Sequence, residues 1–226
     1  MVGARPLVYL VARIEVFDPS KARNVIAGIL TSFVLLLAAV GAAQGEPGAM
    51  LSEPQSVQTL VDFGPGEKTT WYTVNDGVMG GLSSSALTAT DQGTGIFTGV
   101  LRLENNGGFA SVRAVVGPRN LSAWDGVELR VRGDGRRYQL RLRTSDRFDG
   151  VAYRRSFQTV ADRWVTLYLP FSEFQPTFRG RVLADQPPLD TRRIVQLAFM
   201  LSDKQPGPFR LEIDHVRTTL QPGEER

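Results

Sequence analysis

The chain has 226 residues, 42% of them hydrophobic, with 26 lysines and arginines, 23 acids, one histidine and no cysteine. That suffices for one ordinary core plus an addition, and it excludes disulfides, thiolate chemistry and zinc sites built on sulfur, while a lone His215 excludes a two-histidine metal site within one chain. Residues 1–43 hold Arg5, Arg13, Lys21 and Arg23 against Glu15 and Asp18, so the formal net charge of +3 falls to +1 in the remainder, which gives no electrostatic case for nucleic acid.

Residues 25–43 form an uncharged apolar run behind Lys21 and Arg23, closed by Gly41, Ala42 and Ala43. Basic, then apolar, then small is the layout of a secretory signal cut after Ala43. The same run is long enough for an uncleaved membrane-anchor helix. A buried core helix fits less well, because no polar face interrupts the run. With the positive charges on the amino-terminal side, signal and anchor both send the rest of the chain across a membrane. The expected location is therefore extracytoplasmic (periplasmic or secreted), or anchored to the membrane by residues 25–43. Residues 44–58, rich in Pro, Gly and Gln, read as a flexible tether, and residues 221–226 as a tail.

Residues 59–220 have the texture of strands. Short runs of Val, Ile, Phe, Tyr and Thr recur between Gly, Asp, Asn and Pro. Strands are expected near 60–63, 71–74, 84–90, 95–103, 109–116, 126–132, 137–144, 151–158, 164–169, 194–201 and 209–218. No sustained helical period intervenes, so the fold class is all-β, an antiparallel β-sandwich, preceded by the hydrophobic leader or anchor helix.

The run from Trp71 to Ser83 is the least ordinary stretch. Asn75, Asp76 and Gly77 make a turn and Gly80 and Gly81 a second bend, all residues that tolerate or shape unusual backbone. Val78 and Met79 are apolar where a surface turn is normally polar, so they either tuck beneath the loop or face a partner. A second loop, Asn105-Asn106-Gly107-Gly108, first of all looks like a hairpin connection. Should the two loops lie side by side, they form a polar rim with Met79 and Phe109 as apolar points, and that rim is the expected functional end. A purely structural role for Asp76 and the glycines is the alternative.

One hairpin follows from alternation. Val127, Leu129 and Val131 alternate with Glu128, Arg130 and Arg132, and Tyr138, Leu140 and Leu142 with Gln139, Arg141 and Arg143. A two-residue Asp134-Gly135 turn keeps both apolar sets on one face. It would set Glu128 opposite Arg141 and gather Arg130, Arg132, Arg141 and Arg143 on the other face. Such a platform suits carboxylates, sugars or acidic partners. The bland reading is a solvated face with weak cross-strand ion pairs.

Several motifs, in order, resemble the complex I intermediate-associated protein 30 family: the Trp71–Ser83 run, the Asn105–Arg113 run, Gly133-Asp134-Gly135 with Tyr138, Trp164 with Leu169-Pro170-Phe171 and Phe174, and Gly207-Pro208-Phe209 with Leu211–Asp214. The resemblance covers roughly residues 60–219. It implies a galactose-binding-like, jelly-roll sandwich and a part in assembling respiratory complex I, with complex I subunits as protein partners.

Alternation assigns Trp164, Phe171, Phe174, Phe199 and Phe209 to the core. Trp71, Trp124 and Tyr153 stand beside turns, where a sugar-stacking or peptide site would use them. His215 reads as a strand-end ring rather than a base. No nucleophile elbow, phosphate loop or spaced cation-binding loop is present, so no catalytic residue, no metal and no cofactor is assigned.

Two readings follow. The first is a non-catalytic assembly factor or chaperone for a membrane complex, binding protein through Asn75, Asp76, Val78, Met79, Asn105, Asn106, Phe109 and the arginines. The second is an extracytoplasmic carbohydrate-binding module, with Trp71 and Tyr153 as the first aromatics of a row.

Overall fold

The computed structural model describes residues 57–66 and 69–222. The expected leader, nearly all of the tether and residues 223–226 of the tail lie outside them. Among the described residues thirteen strands form. The first seven are β1 (Thr59–Val61), β2 (Trp71–Thr73), β3 (Ser84–Ala89), β4 (Gly95–Leu101), β5 (Ala110–Arg119), β6 (Gly126–Gly133) and β7 (Arg137–Arg143). The others are β8 (Ala152–Gln158), β9 (Trp164–Pro170), β10 (Gln175–Phe178), β11 (Arg181–Val182), β12 (Ile194–Leu201) and β13 (Gly207–Thr219). Among the described residues there is no α-helix, only short 3-10 turns such as Asp76–Met79 and Glu104–Asn106.

Two antiparallel sheets result. The six-stranded sheet runs β3-β4-β13-β6-β9, with β1 on the far half of β13; the seven-stranded sheet runs β11-β10-β8-β7-β12-β5-β2. The expected antiparallel all-β class stands. All eleven expected strands form, several shifted at their ends by one to three residues. The two that alternation misses are β10 and β11, where Pro176 and short polar runs leave no apolar period to read.

Side chains of period two from each sheet meet in one core. Phe97 of β4 lies edge-on to Phe209 of β13 at 4.9 Å and to Tyr138 of β7 at 6.4 Å, so both sheets share this aromatic cluster. Trp71 of β2 stacks 6.0 Å from both Phe63 and Phe199.

The expected β6–β7 hairpin does not form. β6 pairs with β9 and β13, and β7 with β8 and β12, so residues 133–136 are a corner between sheets. Val131 and Tyr138 do both face the core, but from opposite sides. Alternation says which side chains point inward; it does not say which sheet holds the strand. Asp134 shapes the corner by accepting from the Arg136 amide at 3.1 Å, the Arg210 amide at 2.9 Å and the Tyr138 hydroxyl at 3.0 Å. Arg136 fastens it from the other side, donating through Nε to Asp203 at 3.0 Å and through Nη1 to the Pro208 carbonyl at 3.1 Å.

Candidate functional site

The two expected loops do lie side by side, and the residue that joins them is Asp76. Its side chain is fully buried. Oδ1 accepts from the Ser83 amide at 2.9 Å, and Oδ2 from the Ser83 hydroxyl at 2.6 Å, the Gly108 amide at 2.7 Å and the Phe109 amide at 3.3 Å. Burial alone would raise its pKa; the bonds from Ser83, Gly108 and Phe109 outweigh it and hold the carboxyl below its ordinary value. The glycines serve the same knot. A methyl at Gly81 would fall 2.4 Å from the Asp76 carboxyl carbon, and one at Gly107 would fall 2.6 Å from Oδ2.

Asn75 makes the adjoining tie. Its Oδ1 accepts from the Ser85 hydroxyl at 2.8 Å and the Ser111 amide at 3.0 Å, which links the end of β2 to β3 and β5. Asn105, in the left-handed region at φ 55°, donates to the Gly80 carbonyl at 3.1 Å and closes the rim from the other loop. Asn106 follows at φ 58° and faces solvent. Phe109 is half-buried.

Val78 and Met79 do not tuck under. They are 67% and 59% exposed, at the tip of a turn whose base is the buried Asp76. Leu82 and Leu103, one from each loop, are exposed as well. An apolar tip on so constrained a base is a feature that local structure does not require.

The arginines divide between two outer faces, because the hairpin that would have joined them is a corner. Arg130 and Arg132 lie on the six-stranded sheet. Arg130 pairs with Asp214, Arg132 with Glu212 at 2.6 Å, and both cover the ring of Trp164, at 4.7 and 5.1 Å. Trp164 is therefore half-buried on that outer face instead of in the core. Phe171, Phe174, Phe199 and Phe209 are buried as expected. Glu128 pairs with Arg217 and His215, the latter at 3.1 Å, and not with Arg141. His215 is thus part of a charge network on the strand face. Arg141 and Arg143 lie on the outer face of the seven-stranded sheet, with Arg113 and Arg154, which the sequence reading did not single out.

Trp71 turns inward, and Tyr153 is buried with its hydroxyl on the Pro187 carbonyl at 3.2 Å. Trp124 is buried too. The exposed aromatic row expected for sugar stacking is not formed by these residues. Among the described residues no three acidic or histidine side chains gather closely enough to hold a metal ion, and no helix is long and apolar enough to cross a membrane.

The family model for complex I intermediate-associated protein 30 matches residues 61–213. An uncharacterized protein of Schizosaccharomyces pombe is 31% identical over 183 residues, 70% of this chain and 83% of that one. Two relatives named complex I intermediate-associated protein 30, mitochondrial, come from Mus musculus (35% over 105 residues, 45% of this chain) and Drosophila melanogaster (25% over 196 residues, 76% of this chain). The aligned part spans only 32% of the mouse protein and 66% of the fly protein. In fold, the chain is similar to a family 11 carbohydrate-binding module of Clostridium thermocellum, solved with a mixed-linked tetrasaccharide. The TM-score is 0.54 and the identity 16%, over 73% of this chain and 95% of that one. At that identity the likeness shows the sandwich alone. The mitochondrial names of the relatives overturn the extracytoplasmic location expected from residues 25–43, which lie outside the described residues; apolar runs of that kind report hydropathy, not destination. With a family match across most of the sandwich, this chain belongs to the complex I intermediate-associated protein 30 family.

Proposed function

We propose that the chain is a non-catalytic binding module that assists assembly of a respiratory membrane complex, holding a protein partner on the rim formed by residues 76–82 and 103–109. The observation that carries this reading is the display of Val78 and Met79 on a turn fixed by Asp76. Order in the free protein lowers the entropy lost on binding, and an apolar tip supplies buried area. The names of the mouse and fly relatives support complex I as the assembly concerned.

The test is cross-linking of the full chain in its own cells, followed by denaturing purification. Recovery of complex I subunits by the wild type, with loss in Val78→Ser/Met79→Ser at unchanged protein level, is the expected result. Equal recovery by the variant would remove the rim from the reading. Recovery of no respiratory subunit would remove the assembly role.

A further inference from the structure

An open sheet edge invites pairing with another chain, and natural sandwiches guard it with charge, proline, a bulge or brevity. Of the strands here with an open side, β1 and β2 have three residues each, and β11 has two, one of them Arg181. β3 is tied along its open side. There the Ser85 carbonyl accepts from the Thr73 hydroxyl at 3.4 Å, and the Ser85 hydroxyl donates to Asn75 at 2.8 Å. β9 has none of these guards. Residues 164–169 read Trp-Val-Thr-Leu-Tyr-Leu, without a charge or a proline. Their pairing with β6 keeps one register from Arg132 opposite Trp164 to Gly126 opposite Pro170, with no bulge. Among the described residues no strand pairs with the other side of β9.

The bonding phase shows which groups that edge offers. The Phe171 amide donates to the Asp125 carbonyl at 2.9 Å, one step beyond the Gly126–Pro170 pair in the same register. Bonded pairs alternate with unbonded ones along an antiparallel ladder. Leu169, Leu167 and Val165 are therefore the residues bonded to β6, and Trp164 and Thr166 turn amide and carbonyl away from it. β13 agrees with this phase. The Thr218 amide bonds the Gln58 carbonyl at 2.8 Å instead of its register partner Val127, whose own groups thus face β9. Thr166 is exposed in the middle of the strand, and Val165 and Leu167 are only half-buried against the core.

What fits such an edge is a strand, and β9 fits itself. A two-fold axis at Thr166 sets Thr166 against Thr166 of a second copy, Trp164 against Tyr168, and Val165 against Leu167. Threonine pairs, aromatic pairs and aliphatic pairs are all favourable across antiparallel strands. The nearest charges, Asp162 and Arg163, fall opposite Pro170 and Leu169, so no like charges meet. An axis at Leu167 would instead set Trp164 against Pro170, which has no amide to give.

We propose that the chain forms a two-fold dimer by antiparallel pairing of β9 with β9 of a second copy, joining the two six-stranded sheets into one. An edge of this length buries little beside the about 1,600 Å² of a standard interface, so the dimer is reversible and depends on concentration. The inference goes beyond the reading of the rim and does not rest on it.

The chain has no cysteine, so a single introduced one can form a disulfide only between copies. Across a bonded antiparallel pair the Cα atoms lie about 5.5 Å apart, within the roughly 4.4–6.8 Å that a disulfide spans. Under mild oxidation the full chain carrying Thr166→Cys should form covalent dimer about tenfold or more faster than the full chain carrying Ser84→Cys, exposed on β3. In sedimentation equilibrium the wild type should pass from monomer to dimer as concentration rises. Thr166→Lys, which sets two ammonium groups face to face, should raise the dissociation constant about tenfold or more, and Ser84→Lys should leave it unchanged. Equal bridging at positions 166 and 84, or a dimer that survives Thr166→Lys, would overturn the proposal. So would a wild type that stays monomeric; if Thr166→Lys then lost the complex I subunits captured in cells, the edge would belong to a strand of the protein partner. The rim enters neither measurement on the purified chain, so edge pairing and Met79-dependent capture stand or fall separately.

Discussion

The Asp76 carboxylate and the Gly108 amide, thirty-two positions apart in the chain, meet at 2.7 Å inside the protein. Through that bond and its companions, two stretches that read separately as motifs become one piece of structure. Asp76 is scaffold for the rim, and Met79 is the part of it that faces outward.

Asp76→Asn should lower stability by about 2–4 kcal/mol, since charge-assisted bonds at a buried acceptor are lost or reversed. The deficit should depend on pH. Asp76 titrates below its ordinary value when folded, so its contribution is complete above the unfolded value of about 3.9 and disappears as pH falls through the lowered folded value. Urea midpoints of the wild type and the variant should differ most above the unfolded value and converge as pH falls through the lowered folded value. Glu128 and Glu212, also held low, are common to both proteins and cancel in the difference.

Gly81→Ala and Gly107→Ala should each cost about 2 kcal/mol or more, because the added methyl meets the Asp76 carboxylate. Coupling identifies the cause. In an Asp76→Gly background, which removes the carboxyl and also the Cβ that lies 2.7 Å from the added methyl, thermal melts should show Gly81→Ala costing much less than in the wild type. An equal cost in both backgrounds would mean that the clash lies elsewhere.

Phe97→Ala and Trp164→Ala should separate sharply. Phe97 is buried against rings of both sheets, and its loss should cost about 3–5 kcal/mol in denaturant unfolding. Trp164 covers the outer face beneath Arg130 and Arg132, so its replacement should cost about 1–2 kcal/mol.

Arg136→Ala should cost about 3–4 kcal/mol, because it leaves Asp203 buried without its cation. Arg136→Lys should recover only part of this in chemical unfolding, since one ammonium cannot reach Asp203 and the Pro208 carbonyl with the same fork.

Period-two alternation made nearly every long strand legible, together with the direction of Leu129, Val131, Tyr138 and Leu140. Partnership was not legible. Asp134-Gly135 reads equally well as a tight hairpin turn and as a corner, and only the competing claims of β9 and β13 on β6 decide between them. The rim was legible as a pair of loops, because Asn, Asp and Gly at such density announce special backbone. Its linchpin was not, since Asp76 depends on amides from residues 108 and 109 that no local pattern connects to it. Arg113 and Arg154 were overlooked for a related reason. Ser111 and Arg113 alternate visibly with Ala110, Val112 and Ala114, but their neighbours across the sheet come from β2 and β12.

The longest strand, β13, lies in the middle of its sheet and follows every other strand of that sheet in chain order. It pairs with β1, β4 and β6, and the Gln58 amide bonds the Thr218 hydroxyl across 160 positions. Half of the sandwich therefore has no central strand until β13, which follows all its sheet partners in chain order, has been made. Until then β4 and β6 each expose an unpaired edge, and closure requires a long loop to be drawn together late, a slow step. A stop codon placed before β13 should yield an aggregating product in place of a smaller stable domain.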